Sequence, residues 1–291
     1  MYRRSKDFAR LPTFIRRFHF YSPFNALLID IQKPGARVVA TAARWRDTYH
    51  RTIRADARPV VILRPRGPVL VVYDVDDTEP CEGAPELPVE IEVPFRFRSG
   101  LSDADAEVLF ERTSNNALRD GVRVVRGPRG THRGGDIRTT ADGRFVRRTG
   151  PRGKGEESVA LRYELVINDR FEPFDAYRTL THELAHLYCG HLGSPDKRLW
   201  PSRVGLDDAS NEFEAETASW IVVSRIDPTA EMDHYLAQHL GSDGEVPPMS
   251  LSRVLTAAGL VENMARKRLP SRAQELAAKN RPSRRRPKSE T

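Results

Sequence analysis

The segment THELAH contains side chains that can bind a metal ion and transfer protons. His182 and His186 are four positions apart, so on a helix both imidazoles lie on one face and can bind the same metal ion. Glu183 follows the first histidine and stands beside that ion. Its carboxylate can take a proton from a water molecule that zinc has made more acidic. The segment therefore predicts a zinc-dependent hydrolytic site with Glu183 as the general base.

A third metal ligand is expected from the acidic segment NEFEAE, which begins at Asn211. Catalytic zinc is held by three protein ligands and keeps one position open. Glu212 fits the third position, for one zinc ion per chain. Glu216, one helical turn later, is placed to accept the outer N–H of a ligating histidine. Taken singly, each residue has an ordinary surface or core position as its alternative; their combination favours the metal site.

Two residues near the second histidine do not fit the ligand pattern. His191 lies five positions after His186, whereas the third histidine of the metzincin motif lies six positions after the second. We therefore do not assign it as a ligand. Cys189 is expected at a buried helix end rather than as a reactive thiol. For stabilising negative charge on a reacting carbonyl oxygen, the sequence offers His191, His234 and Tyr235 as weak candidates.

A strand and two helices must position these residues. Alternating apolar residues over 159–168 predict a strand, and a helix follows from about Pro173 to Tyr188, ended by Gly190. A second helix is expected from about Asp207 to Ser224 and carries the acidic segment. Earlier in the chain, Ser102 is expected to cap a helix that runs to about residue 119.

The net charge of +7 is distributed very unevenly. Residues 1–67 carry 15 Lys and Arg against 4 Asp and Glu, and residues 121–155 and 266–291 each carry 10 against 2. Residues 68–112 carry 3 Lys and Arg against 12 Asp and Glu. Separate basic blocks are typical of a protein with a polyanionic partner, and a solvated surface is the alternative.

The first basic block also contains several aromatic residues. Binding of single-stranded nucleic acid needs cations for the phosphates and aromatic faces on which bases stack. For each aromatic residue the alternative is a place in the core. The candidate contacts are Arg16, Arg17, Tyr21, Arg44, Trp45, Arg46 and Tyr49.

Both halves of the chain resemble known families. THELAH with the later EFEAETASWIV is similar to gluzincin metallopeptidases, and most of all to ImmA/IrrE-like peptidases and the peptidase half of ArdC-type antirestriction proteins. Residues 18–51 resemble the single-stranded-DNA-binding domain of ArdC. The matching positions are Tyr21, Ser22, Asn25, Leu27, Leu28, Ile29, Gln32, Pro34 and Trp45. The two resemblances cover about residues 13–75 and 160–225, and they imply single-stranded DNA as one partner.

We therefore expect an α+β protein with a small DNA-binding-like α+β domain over residues 1–95. A zincin-like metallopeptidase domain follows over 96–265, with its active-site helix directly after an edge strand. Residues 121–155, with nine glycines and ten basic residues, are expected to form a loop in that domain, with a pair of hairpin strands as the alternative. Residues 266–291, rich in Pro and Arg, are expected to be a disordered basic tail.

The function expected is a zinc metallopeptidase that also binds single-stranded DNA and acts on a protein or peptide. One alternative is an antirestriction protein with a structural or vestigial metal site, and another is a regulatory protease that cuts a transcriptional repressor. A cytoplasmic location is expected, because the two cysteines form no disulfide framework and the basic start lacks an apolar signal region. No apolar stretch approaches the roughly 20 residues of a membrane span, so no membrane partner is expected.

Overall fold

The computed structural model describes residues 11, 14–16, 18, 20–64, 67–87, 100–129, 134–141, 143–149, 156–227 and 245–279. Helices and strands both contribute to the structure, which is of the α+β class. None of the helices within these ranges is long and apolar enough to cross a membrane.

The elements with complete bounds among the described residues of the first half include two helices and two small antiparallel sheets. In one sheet β4 lies between β1 and β3, and in the other β2 pairs with β5. Ser22 accepts the N–H of Asn25 at 3.3 Å and so begins the first helix. The elements are α1 (Pro23–Gln32), β1 (Val39–Ala40), α2 (Ala42–Tyr49), β2 (Arg51–Ile53), β3 (Val60–Arg64), β4 (Gly67–Asp74) and β5 (Thr78–Pro80).

Two side-chain amides of α1 cover the free edge of β3. The amide of Asn25 both donates to the carbonyl and accepts from the N–H of Leu63, each at 2.9 Å. Gln32, two helical turns later, does the same with Val61 at 2.8 and 2.9 Å. An open strand edge invites pairing with another chain. Two residues of the DNA-binding-like pattern, Asn25 and Gln32, therefore have a structural role at this edge.

The second half contains a three-stranded sheet, a β-hairpin and five helices among the described residues. In the sheet β10 lies between β6, which is parallel to it, and β7, which is antiparallel. β8 and β9 form the hairpin. The elements are α3 (Asp103–Ala117), β6 (Val122–Gly127), β7 (Gly135–Thr139), β8 (Phe145–Thr149), β9 (Glu156–Ala160), β10 (Tyr163–Asn168), α4 (Pro173–Cys189), α5 (Asp208–Ile226), α6 (Leu251–Arg266) and α7 (Arg272–Lys279).

Two expectations about this half concern its strands. For residues 121–155 the loop is wrong and the alternative of strands is confirmed in part, because the described residues there include β6, β7 and β8. The strand before α4 is not an edge strand, because β10 is central and β7 forms the edge beside the helix. β7 has no strand pattern of its own, because it is short and mostly polar with one glycine, and its pairing with β10 is a contact between distant parts of the chain.

The basic tail is also ordered over part of its length, contrary to the prediction. Residues 272–279 form α7, and the guanidinium of Arg272 binds both oxygens of Asp120 at 2.6 and 2.9 Å. Tyr188 donates to the same carboxylate at 2.7 Å. The positive charge that predicts a solvated tail here neutralises a buried acid. Residues 280–291 lie outside the described residues.

One apolar core extends through both halves of the chain. It includes Ile29 and Val72 from the first half and Leu165 and Leu184 from the second. Arg225 of α5, buried beside Glu262, donates to backbone carbonyls of the first half, including those of Ile15 and Tyr21 at 2.7 Å each. The predicted domain boundary at residue 95 lies outside the described residues.

Candidate metal centre

The helix α4 presents the predicted histidines to a cleft. Its opposite face is buried in the core through Leu180, Leu184 and Leu187. The helix ends at Gly190, where φ is +95° and an added Cβ would lie 2.4 Å from the carbonyl of Pro201. Only glycine fits that turn without displacing the backbone. The end of the helix is therefore fixed close to the histidines.

The three predicted ligands meet at the floor of the cleft. Nε2 of His182 lies 3.1 Å from Nε2 of His186, and each nitrogen lies 3.4 Å from one oxygen of Glu212. Zinc ligands at the usual bond lengths stand about 3.3–3.6 Å apart around a tetrahedral ion. The three residues thus have the donor types and the spacing that a divalent metal ion requires, and together they could hold one.

Glu216 supports the first histidine from behind. Its Oε2 lies 3.0 Å from Nδ1 of His182, and its other oxygen lies 3.7 Å from the guanidinium of Arg178. In a neutral His182 with its proton on Nδ1, the lone pair on Nε2 would be available to a metal ion beside Glu212 and His186. This contact corresponds to the role predicted for Glu216 from the sequence.

Charges at the centre are strongly coupled in the metal-free protein. Burial would lower the pKa of His182, but hydrogen bonds to Glu212 and Glu216 outweigh it and raise that pKa to about 10. The same contacts with His182 and His186 hold the pKa of Glu212 well below its ordinary range. With this pKa a proton occupies the ligand set of the metal-free protein at neutral pH, and a metal ion that bound there would displace it.

Glu183 lies beside the ligands and is held by a strand. Its side chain is buried, and Oε2 accepts the backbone N–H of Ile137 at 3.0 Å. Burial raises the pKa of this carboxyl, while the neighbouring histidines oppose the rise. A carboxylate with a raised pKa is a better proton acceptor, which suits the role of general base.

The edge strand β7 forms one wall of the cleft, which has a volume of about 570 Å³. Gly135 lets this strand approach α4, because an added Cβ would lie 2.9 Å from both Thr179 and the carbonyl of Val166. Arg178 and Leu192 line other parts of the wall. The sequence analysis did not identify β7 or Arg178 as parts of the site, because no local pattern marks either of them.

Cys189 and His191 lie behind the ligands. Nδ1 of His191 is 3.0 Å from Nδ1 of His186, so it faces the nitrogen that the ligand set does not use. Cys189 is fully buried, and burial raises the pKa of its thiol. Cys189 thus lies at a buried helix end, as expected. Its Sγ and ligand atoms of His191 and Glu214 lie within 4.8 Å of one another, so leaving His191 out of the metal ligands stays a prediction. His234 and Tyr235 lie outside the described residues.

Trp45, predicted as a base-stacking residue, is a core residue in the structure. Its indole is 0% exposed and donates to the carbonyl of Tyr73 at 2.8 Å. A base cannot reach either face of a fully buried ring, so this assignment is corrected. The pattern of the sequence identifies an aromatic residue at this position but not its environment.

The other candidate DNA contacts are divided. Arg44 and Arg46 are exposed, although Arg46 binds Asp47 at 2.7 Å. Arg44 stands 5.9 Å from the ring centre of Tyr49. Its charge opposes the effect of burial on the pKa of Tyr21, so these three residues are close together. Arg16 is half-buried, and Arg17 lies outside the described residues.

Comparisons of this chain with protein-family models, with curated proteins and with solved structures give no match.

Proposed function

We propose that this protein is a zinc-dependent peptidase that hydrolyses a peptide bond in a protein or peptide substrate. The observation that carries the proposal is the grouping of His182, His186 and Glu212 at metal-ligand spacing with the buried carboxylate of Glu183 beside them. Three ligands at an open cleft are typical of catalytic zinc, whereas structural zinc is closed by four.

The residues divide the chemistry between them. A zinc ion held by His182, His186 and Glu212 would polarise the scissile carbonyl and make water more acidic. Glu183 takes a proton from the attacking water, whose oxygen bonds to the carbonyl carbon. As the C–N bond breaks, Glu183 gives the proton to the leaving amine. The N–H of Ile137 fixes the carboxylate for both transfers.

The edge strand β7 supports a peptide as the substrate. It pairs with β10 on one side, and its residues Gly135, Asp136 and Ile137 line the cleft on the other. An extended peptide can add to such an edge through backbone hydrogen bonds. This arrangement favours unfolded segments over folded proteins, because a strand inside a folded sheet already has its partners.

The alternative of a structural or vestigial metal site needs no proton acceptor at the position of Glu183. Cleavage of a transcriptional repressor would use the machinery described here and differs only in its substrate. A peptidase and a protein with a structural metal site are distinguished by an assay with zinc-loaded protein and an unfolded test protein such as casein. We expect fragments to form, to stop with a zinc chelator and to return on adding zinc. A zinc-loaded protein that leaves every unfolded substrate intact supports the structural alternative.

We propose binding of single-stranded DNA as a second function of the first half. The observation in favour is the cluster of Tyr21, Arg44 and Tyr49, with Phe20 exposed over 83% of its surface nearby in the chain. Arg44 can meet a phosphate and the rings can stack on bases. Trp45 contributes through packing, since its ring contacts Tyr49 with 5.1 Å between centroids.

Tyr49→Ala should weaken the binding of an oligothymidine by about 1–3 kcal/mol, the usual contribution of one stacking residue. Arg44→Ala should reduce the dependence of affinity on salt by about one phosphate contact. Fluorescence anisotropy measures both, and Arg198→Ala, an exposed arginine of the second half, serves as the control.

The basic residues 280–291 should be deleted in all of these variants, since they bind any polyanion. The deletion stops there because α7 is anchored by Arg272. Wild-type affinity in both Tyr49→Ala and Arg44→Ala would rule out this surface.

A further inference from the structure

A chain of buried hydrogen bonds leads away from the second histidine ligand. Nδ1 of His186 lies 3.0 Å from Nδ1 of His191, and Nε2 of His191 lies 3.0 Å from an oxygen of Glu214. The side chains of His191 and Glu214 are 4% and 0% exposed. Water therefore has little access to these contacts, and each polar atom depends on its protein partner.

Metal binding fixes the direction of every hydrogen bond in this chain. If Nε2 of His186 offers its lone pair to the metal, the proton of that imidazole is on Nδ1. Nδ1 of His191 must then accept, so its own proton is on Nε2 and is donated to Glu214. Only one tautomer of each ring satisfies both contacts.

Glu214 is the fixed end of this series of hydrogen bonds. Its two oxygens accept hydrogen bonds from the guanidinium of Arg203, and one of them also accepts the backbone N–H of Ser250 at 2.7 Å. Arg203 belongs to the loop between α4 and α5, and Ser250 precedes α6. Glu214 itself lies on α5, so three parts of the fold meet at this carboxylate: α5, the loop after α4 and the segment before α6. Its position therefore does not depend on the metal site.

We propose that His191 is the positioning residue of the metal centre, and that it orients His186 by connecting it to Glu214. The inference rests on the proposed zinc site. His182 is supported directly by a carboxylate, Glu216, and His186 is supported by a neutral imidazole with a carboxylate behind it. The two ligands are thus supported differently. His186, which is nearer the end of α4, is connected to its carboxylate through an additional side chain.

A second metal site at the same place is the competing interpretation. Ligand atoms of Cys189, His191 and Glu214 lie within 4.8 Å of one another. However, both oxygens of Glu214 already accept from the cationic Arg203, whose charge would repel a metal ion. In the tautomer that metal binding by His186 requires, the His191 nitrogen nearest to Glu214 carries a proton and has no lone pair for a second metal ion. We therefore assign these residues to the support of one metal centre.

The test compares variants of the full chain that differ in the ability to accept a hydrogen bond at position 191. His191→Phe keeps an aromatic ring without an acceptor, and His191→Gln offers an amide oxygen. Zinc affinity is measured by competition with a coloured chelator, and ligand geometry by the visible absorption of the cobalt(II)-loaded protein. His191→Phe should lose about 10–100-fold in affinity and change the cobalt spectrum. His191→Gln should recover part of both.

Two further variants complete the experiment. Arg203→Met removes the guanidinium that holds Glu214, at the end of the hydrogen-bond series away from the metal. We expect it to lower zinc affinity by less than His191→Phe does. It tests the proposal even if His191→Phe fails to fold. Cys189→Ala should bind one zinc ion as wild type does. Wild-type affinity and spectrum in His191→Phe or in Arg203→Met would overturn the positioning role. Two zinc ions in wild type and one in Cys189→Ala would establish the second site instead. A wild-type protein that binds no metal contradicts the proposed zinc site itself.

Discussion

Under the proposed function, replacing Glu183 by glutamine should abolish most peptide hydrolysis while zinc binding and the fold are retained. The amide has nearly the shape of the carboxylate. In the wild type, Oε2 of Glu183 accepts the N–H of Ile137 at 3.0 Å, and the amide oxygen of glutamine can accept the same N–H. It cannot take a proton from water. Because general-base catalysis typically contributes about 10²–10⁴-fold, we expect the turnover number to fall by at least that factor.

The measurement is the rate of cleavage of a fluorogenic or unfolded substrate at equal zinc content. Glu164→Gln is the matched control, since Glu164 lies on the neighbouring strand β10 and pairs with Arg138 outside the cleft. We expect the control to retain wild-type turnover. Equal turnover by Glu183→Gln would remove this residue from the mechanism, whatever the metal content.

Replacing Trp45 by alanine destabilises the first half by about 3–5 kcal/mol, the usual cost of removing a buried indole. The ring is fully buried beside Ala40 and Val75, so its loss leaves a cavity. It also leaves the carbonyl of Tyr73 without the donor 2.8 Å away. Urea unfolding of the wild type and Trp45→Ala measures the difference.

Trp45→Phe is the milder comparison, because it retains part of the apolar volume although it also loses the N–H donor to Tyr73. It should be less destabilised than Trp45→Ala and should bind single-stranded DNA as wild type does. A Trp45→Ala protein with wild-type stability and weakened DNA binding would return this indole to the binding surface. Stability and affinity together thus distinguish a core position from a stacking position.

The residues of the candidate metal centre were more predictable from the sequence than their surroundings, for a physical reason. His182 and His186 are brought together by one helical turn, and Glu212 and Glu216 have the same spacing. Local geometry therefore places each pair on one face, and the chemistry of zinc requires the pairs to meet. The ends of α3 and α4 were also predictable, because Ser102 and Gly190 are local signals.

The parts that were not predictable depend on contacts between distant residues. β7 contains Gly135, Asp136 and Arg138, which have no strand pattern of their own, and its place depends on β10 and Thr179. The hydrogen bond of His191 to His186 follows from the turn after α4, not from a ligand motif. Burial of Trp45 and pairing of Arg272 with Asp120 likewise depend on partners that composition does not identify.

Metal content tests most directly whether His182, His186 and Glu212 hold one divalent metal ion. It is measured on purified protein after dialysis against a weak chelator, by mass spectrometry of the intact chain and elemental analysis. We expect one zinc ion per chain in the wild type and in Glu183→Gln, and none in His182→Ala or Glu212→Ala. Metal retained by Glu212→Ala as tightly as by the wild type would contradict it.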